Sequence, residues 1–277
     1  KLPFILSKND ILVVQYPLKK YYVFVCKLAH VFDCRVITLV HDLGTFRRNR
    51  LNEVQEIKML MNSDCLIALN SVMKSWRIER GYTKPIGCME IWDYLSNTEA
   101  VKEKPINTPY QVVYAGGLSL KKNRFLYEMD DLIHNWQFNL YGYGFKEELI
   151  KNRNRFTYKG FVCPDELIAT VEGDFGLVWD GESATTCSGA FGEYLQYNNP
   201  HKASLYIRCN LPIIIWRKAA LAPFVKENGI GICVDSLEDL DHILPSIAFE
   251  EYMRMKQNVR QISYRLSSGY YFTRALR

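Results

Sequence analysis

Residues 198–216 read Asn198-Asn199-Pro200-His201-Lys202-Ala203-Ser204-Leu205-Tyr206-Ile207-Arg208-Cys209-Asn210-Leu211-Pro212-Ile213-Ile214-Ile215-Trp216. The order is loop, short helix, turn, buried strand. Proline suits the first turn of a helix, where the N–H it lacks has no intrahelical use, so Pro200 marks the helix start. Ala203, Tyr206 and Ile207 fall at helical spacing, and Asn210 can take the left-handed conformation that stops a helix. Leu211 to Trp216 is an apolar run broken only by Pro212, the pattern of a parallel strand covered on both faces. Lys202 therefore stands at a helix N-terminus. An ammonium and backbone N–H groups can converge there on an anion such as a diphosphate. A solvated lysine at an ordinary helix start fits the same residues.

The rest of the chain repeats this alternation. Strand patterns at 10–16, 35–40 and 64–69 alternate with helical patterns at 20–30, 52–62 and 72–80, and a short segment at 86–92 closes the unit. Residues 96–109 are polar and carry Pro105 and Pro109, which marks a linker. A second series follows, with strands at 110–115, 137–141, 156–159, 174–179 and 231–234. Its helical patterns lie at 124–133, 145–152, from Pro164, at 220–228 and up to Ile247, with a loop at 182–199 and a long helical tail at 250–271. Strands alternating with helices predict parallel sheets. The divisions are 1–95, a linker at 96–109, a second domain at 110–249 and a C-terminal helix at 250–277. Ligands of such sheets bind at the carboxyl ends of strands. There stand His41, Asp42, Gly116, Gly117, Gly142, Phe161, Asp180 and the loop before Lys202, which can all face one interdomain cleft.

Composition narrows the classes. Of 277 residues, 48% are hydrophobic and 23% charged, as in a globular protein with substantial cores. The net charge is +5, from 35 basic and 30 acidic residues. The densest basic cluster, Arg47-Arg48-Asn49-Arg50, is too short to argue for nucleic acid, and a mild positive field suits an anionic substrate equally well. No apolar run approaches the roughly 18 residues of a membrane span, and no signal peptide is evident. The eight cysteines include no CxxC pair. Cys26, Cys65 and Cys233 lie in apolar runs, as reduced core thiols of a cytoplasmic protein do. The first residue is Lys1, and an N-terminal segment is expected to precede it.

Three further motifs carry chemistry. Ala115-Gly116-Gly117-Leu118-Ser119-Leu120-Lys121-Lys122-Asn123 is a glycine pair at a strand end followed by lysines. It allows close approach to a phosphate, or is a plain turn; it matches neither the dinucleotide nor the P-loop fingerprint. Trp179-Asp180-Gly181-Glu182-Ser183-Ala184-Thr185-Thr186-Cys187-Ser188-Gly189 offers hydroxyls to a sugar or phosphate, or is a solvated loop. Asp180 and Glu182 are either a catalytic pair or adjacent exposed acids. His41 and Asp42 are either a base with its partner or a capping pair. No metal-ligand cluster stands out.

Together, several runs resemble the donor domain of a GT-B glycosyltransferase: Tyr114-Ala115-Gly116-Gly117-Leu118, Leu140-Tyr141-Gly142-Tyr143-Gly144-Phe145, Gly176-Leu177-Val178-Trp179-Asp180-Gly181, Cys187-Ser188-Gly189, and Asn199-Pro200-His201-Lys202-Ala203-Ser204-Leu205-Tyr206 with Leu211-Pro212-Ile213-Ile214. Val40-His41-Asp42-Leu43 and Leu69-Asn70-Ser71-Val72-Met73 fit less sharply. The chain is similar, over about residues 10–270, to the Gtf3-like glucosyltransferases that extend O-linked N-acetylglucosamine on serine-rich bacterial adhesins, with galactofuranosyltransferase-like relatives nearby. The resemblance implies an α/β GT-B fold of two Rossmann-like domains facing a cleft. It implies a bacterial cytoplasmic hexosyltransferase, not transmembrane and not binding nucleic acid, that takes a UDP-sugar, glucose above all, without a metal or other cofactor. The acceptor it implies is a GlcNAc-modified serine-rich glycoprotein. Lys202 and its helix N-terminus, with Ala203, Ser204 and Leu205, would hold the diphosphate, and Gly116, Gly117 and Lys122 would approach it. Tyr143 and Phe161 would lie near the base, and Asp180, Ser188 and Gly189 near the sugar. His41, Asp42 and Asp180 are the catalytic candidates. Many GT-B enzymes carry a ribose-binding glutamate where Leu205 stands, so ribose would be held otherwise. The C-terminal segment would serve a homodimer or homotetramer. A non-catalytic nucleotide-sugar-binding subunit is the competing reading.

Overall fold

A computed structural model describes residues 4–44, 52–100 and 106–277; the basic cluster at 47–50 lies outside the described residues. The chain forms two compact units, residues 1–91 with 272–277, and residues 92–271.

The first unit is a four-stranded parallel sheet in the order β1 (Ile11–Tyr16), β2 (Arg35–Val40), β3 (Cys65–Ala68), β4 (Ile86–Cys88). Its helices are α1 (Tyr22–Val31), α2 (Glu53–Leu60) and α3 (Ser71–Glu79). Asn52 caps α2 in a reciprocal capping box with Gln55, and Asn70 caps α3 by accepting from Met73 N at 2.8 Å. The short closing segment at 86–92 holds three residues of strand and then turns at Glu90, whose φ is 73°.

The second unit carries strands β5 (Gln111–Gly117), β6 (Gln137–Tyr143), β7 (Phe156–Gly160), β8 (Phe175–Val178), β9 (Ile213–Trp216) and β10 (Gly231–Val234). They form one parallel sheet in the order β10-β9-β8-β5-β6-β7. Its helices are α4 (Phe125–Glu128), α5 (Pro164–Thr170), α6 (Gly189–Glu193), α7 (His201–Arg208), α8 (Ala222–Glu227), α9 (Leu240–Ser246) and the long α10 (Phe249–Ser267); α11 (Tyr270–Ala275) runs on into the first unit. Every residue of β8 and β9 is buried, as their unbroken apolar runs predict.

The opening stretch folds largely as read. Asn210 stands at φ 58° and ends α7. Pro200 is the cap residue, extended at φ −70°, ψ 130°, not a member of the first turn; its carbonyl accepts from Ala203 N at 3.0 Å.

Four expectations are corrected. The helix at 124–133 stops as α4 and one 3₁₀ turn, Met129–Asp131. Asp130 and Asp131 sit where a helix C-terminus disfavours negative charge, and the buried Asp130 carboxylate instead accepts from Lys151 N and Asn152 N, both at 2.6 Å. Those two bonds also take the N–H groups that the last turn of a helix at 145–152 would use, and only a 3₁₀ turn at Glu147–Leu149 forms. The loop at 182–199 contains α6 and a 3₁₀ turn, Tyr194–Gln196. The helical tail breaks at Gly269, whose φ is 71°. Among the described residues no helix is long and apolar enough to cross a membrane.

Candidate functional site

Within the second unit the chain steps outward from β5 through β6 to β7. It then returns to the other side of β5 and steps through β8 and β9 to β10. The junction of β5 and β8 is thus the switch point, where parallel sheets open a crevice at their carboxyl ends. Two glycine segments shape this rim. Gly116 pairs with Gly142 and Gly117 with Tyr143 at the ends of β5 and β6. A Cβ on Gly142, which has φ 147°, would lie 1.8 Å from the Gly116 carbonyl oxygen, so no other residue fits this pairing.

After β8 the chain reaches Asp180. Its carboxylate Oδ1 lies 2.8 Å from Lys202 Nζ, with both side chains 12% exposed. The Tyr114 hydroxyl, from β5, donates to the same Oδ1 at 2.9 Å and accepts from Lys202 Nζ at 2.8 Å. The ammonium also sits 4.2 Å from the centre of the Tyr114 ring and 3.3 Å from the Trp179 carbonyl oxygen. Burial pulls the Lys202 pKa below its ordinary value, and the Asp180 carboxylate opposes that. Burial and the same carboxylate hold the Tyr114 phenol well above its usual range, so it stays a neutral donor. Cys187, before α6, is likewise pushed up by burial.

Residues 3–91 match the family described as "Glucosyltransferase 3-like, N-terminal domain", and residues 112–277 match "Glucosyltransferase 3-like, C-terminal domain". The chain belongs to the Glucosyltransferase 3-like family. It is 32% identical over 268 residues to beta-1,6-galactofuranosyltransferase WbbI of Escherichia coli (strain K12), covering 96% of this chain and 78% of that one. It is 28% identical over 262 residues to Glucosyltransferase 3 of Streptococcus gordonii, covering 91% and 72%. This Glucosyltransferase 3-like chain also shares its fold with solved structures. A trehalose-6-phosphate synthase studied with bisubstrate glycomimetics aligns at TM-score 0.64 and 10% identity, over 99% of this chain and 74% of that one. The lipopolysaccharide outer core galactosyltransferase WaaB aligns at TM-score 0.53 and 12% identity, over 96% and 75%. The fold is GT-B, and the protein is a glycosyl-transfer enzyme.

The Glucosyltransferase 3-like site brings together several of the residues singled out from the sequence. Gly116, Gly117, Asp180 and Lys202 stand at the switch point. The Lys122 ammonium lies 5.9 Å from the centre of the Phe191 ring and contributes to the field at Lys202. Tyr143 and Phe161, both exposed, stack with centroids 4.4 Å apart and planes at 11°. The Ser188 carbonyl accepts from Glu182 N at 3.3 Å and closes against Gly181, where a Cβ would lie 2.2 Å from it. Gly189, at φ 72°, lies under the exposed Glu182 carboxylate. Asp180 and Glu182 are therefore not an acid pair: one is buried on a lysine, the other is exposed over a glycine.

Ala203, Ser204 and Leu205 are placed differently. Ala203 is buried in the core, Leu205 is half-buried, and the fully buried Ser204 hydroxyl donates to the Trp92 carbonyl at 2.7 Å. Ser204 thus anchors α7 rather than lining the crevice. His41 and Asp42 follow β2 in the first unit. His41 N donates to the Tyr16 carbonyl at 3.0 Å, and burial lowers the imidazole pKa while Asp42 raises it.

Two contributors escaped the sequence reading. Tyr114 heads the run Tyr114-Ala115-Gly116-Gly117-Leu118, but inside an apolar strand nothing marked its side chain for a role. Trp92 stacks on His201 with centroids 4.6 Å apart, and its indole N–H donates to the Asn199 carbonyl at 2.9 Å, so it clasps the start of α7.

Proposed function

We propose that this enzyme transfers a hexosyl group from a UDP-sugar to an N-acetylglucosamine-bearing glycoprotein, with the donor seated at the β5–β8 switch point. The observation that carries this reading is the buried Lys202 ammonium, fixed at the N-terminus of α7 beside the Gly116-Gly117 rim. Negative charge grows on the diphosphate as the glycosidic bond to UDP breaks. A fixed cation and a helix N-terminus in a site of low polarity stabilise that charge without reorganising. Glycines at 116 and 117 let the backbone approach the phosphates, and Lys122 adds a second cation. The Tyr143–Phe161 stack offers an aromatic face to the uracil. We assign no resident metal to the step, since the chain's own cations serve the diphosphate.

Glucose is the first donor proposed, on the likeness to Glucosyltransferase 3. The 32% identity to a galactofuranosyltransferase supports galactofuranose as a second. The test is UDP release from UDP-glucose, UDP-GlcNAc and UDP-galactofuranose, with and without a GlcNAc-bearing peptide and with and without EDTA. Acceptor-dependent release from one donor, undiminished by EDTA, is expected. Release from none refutes the UDP-sugar reading, and loss of release in EDTA refutes metal independence.

A further inference from the structure

Helix α7 and strand β5 are tied by two tyrosines that cross in opposite directions. Tyr206, on α7, reaches the strand: its hydroxyl accepts from Ala115 N at 2.7 Å. Tyr114, on β5, reaches the helix through its bonds to Lys202 Nζ and Asp180 Oδ1. Both phenols are fully buried. The helix lies close on the sheet because β8 carries Gly176 under the Tyr206 ring; a Cβ there would lie 2.3 Å from it. This clasp leaves the backbone of α7 little play. The last few ångströms, from Cα to Nζ of a four-carbon side chain, need their own constraint. Tyr114 supplies it by presenting a ring face and a hydroxyl to one ammonium.

We propose that Tyr114 is a positioning residue for glycosyl transfer, holding the Lys202 ammonium at the spot where the donor diphosphate binds. This deepens the donor-site reading above and rests on it. Lys202 Nζ has three protons. One is directed to Asp180, one to Tyr114 and one toward the Trp179 carbonyl. Asp180 supplies the countercharge. Tyr114 bonds both partners and so fixes their mutual geometry, as a fork between them. Without the hydroxyl, the ammonium keeps its countercharge but loses its direction, and a flexible lysine must be ordered anew by each donor. Among the described residues, the titratable and charged groups that act on Nζ include Asp180 after β8 and Tyr114 on β5, which bond it, and Lys122 after β5 and Cys187 before α6, which act through their field.

Tyr114→Phe isolates the hydroxyl, since the ring keeps its packing and its face toward the cation. UDP is the probe, with affinity measured by calorimetry on the full chain and turnover by UDP release. Tyr114→Phe should weaken UDP binding about tenfold, about 1.4 kcal/mol, in a chain that melts earlier than wild type, because a buried hydroxyl bonded to two charges is lost, but is fully folded at the temperature of the titration. The hydroxyl stabilises the charged form of Lys202. Its loss should therefore move the alkaline fall-off of UDP binding to lower pH, a shift that a packing role would not produce. In a Lys202→Ala background Tyr114→Phe should have no further effect on UDP affinity. Wild-type affinity and pH profile in Tyr114→Phe, beside an impaired Lys202→Ala, overturn the positioning role alone. Unchanged affinity in Lys202→Ala overturns the donor-site reading itself. Equal losses from Tyr114→Phe in the wild-type and Lys202→Ala backgrounds also overturn the proposal, because the hydroxyl would then act apart from the lysine.

Discussion

Replacing Asp180 by Asn tests the electrostatics of the switch point. Asn keeps the shape and an oxygen that can accept from Tyr114 and Lys202, and it removes only the charge. The Lys202 side chain, 12% exposed, would then carry a buried cation without its countercharge. Removing one member of a buried pair costs about 3–5 kcal/mol. Retained hydrogen bonds put Asp180→Asn at the lower end, about 3 kcal/mol, or roughly 6–12 °C in the melting temperature of a unit this size. The pH dependence has a definite sign. Burial holds the folded-state pKa of Lys202 below its unfolded value, and loss of Asp180 lowers it further. Between the folded and unfolded values the unfolded chain binds more protons, so stability rises with pH through that window. The window opens at lower pH in the variant, and the gap to wild type should narrow as pH rises above neutral toward the ordinary lysine value. Lys202→Met in the same chain should recover most of the loss, because no buried charge remains. UDP at about 100 times its dissociation constant stabilises wild type by about 2.7 kcal/mol. The melting rise it gives should be larger in Asp180→Asn, where the diphosphate takes over as countercharge. Differential scanning fluorimetry across pH, with and without UDP, reads all of this. Melting within 1 °C of wild type at pH 7, or a gap that widens with pH, would refute the reasoning.

Other perturbations read the surrounding construction. Gly142→Ala drives a Cβ into the Gly116 carbonyl at a φ of 147°; strain and overpacking should cost roughly 2–4 kcal/mol in a chemical denaturation curve. Phe161→Ala removes half of an exposed stack, so melting should hold while UDP affinity falls by about 1–3 kcal/mol in a calorimetric titration. Arg208→Met strips donors from the Ser96 and Thr98 carbonyls, each at 2.9 Å, and from Ser263 Oγ at 3.1 Å. Thermal melting should show a loss of about 2–4 kcal/mol.

Much of this was legible before any coordinates, for local reasons. The left-handed Asn210, the strand after it and the caps at Asn52 and Asn70 each depend on a few neighbouring residues. The βα alternation depends on patterns that one element carries by itself. Where the reading failed, the competing partner lay far along the chain. Asp130 draws backbone N–H groups from residues 151 and 152, and so dissolves two helices whose apolar spacing was sound. Tyr114 meets Lys202 across 88 positions, and Ser204 meets Trp92 across 112. No window of sequence shows such pairs. Lys202 was visible as a helix start, but that Asp180 already holds it was not.

The geometry of α7 explains why its single lysine bears so much. Its residues are nearly all committed. Ala203, Tyr206 and Ile207 are buried, with Tyr206 bonded to β5. Ser204 bonds the Trp92 carbonyl, and Arg208 bonds residues 96 and 98 and α10 through Ser263. His201 stacks on Trp92. What remains toward the crevice is Lys202, with the half-buried Leu205 one turn on. A helix so fixed cannot swing its lysine toward a ligand. The ammonium must be right in the resting protein or not at all, and a resting buried ammonium needs a resting countercharge. Asp180 and Tyr114 are the consequence: they hold the cation oriented in the resting protein, which is the preorganisation that the proposed donor site requires.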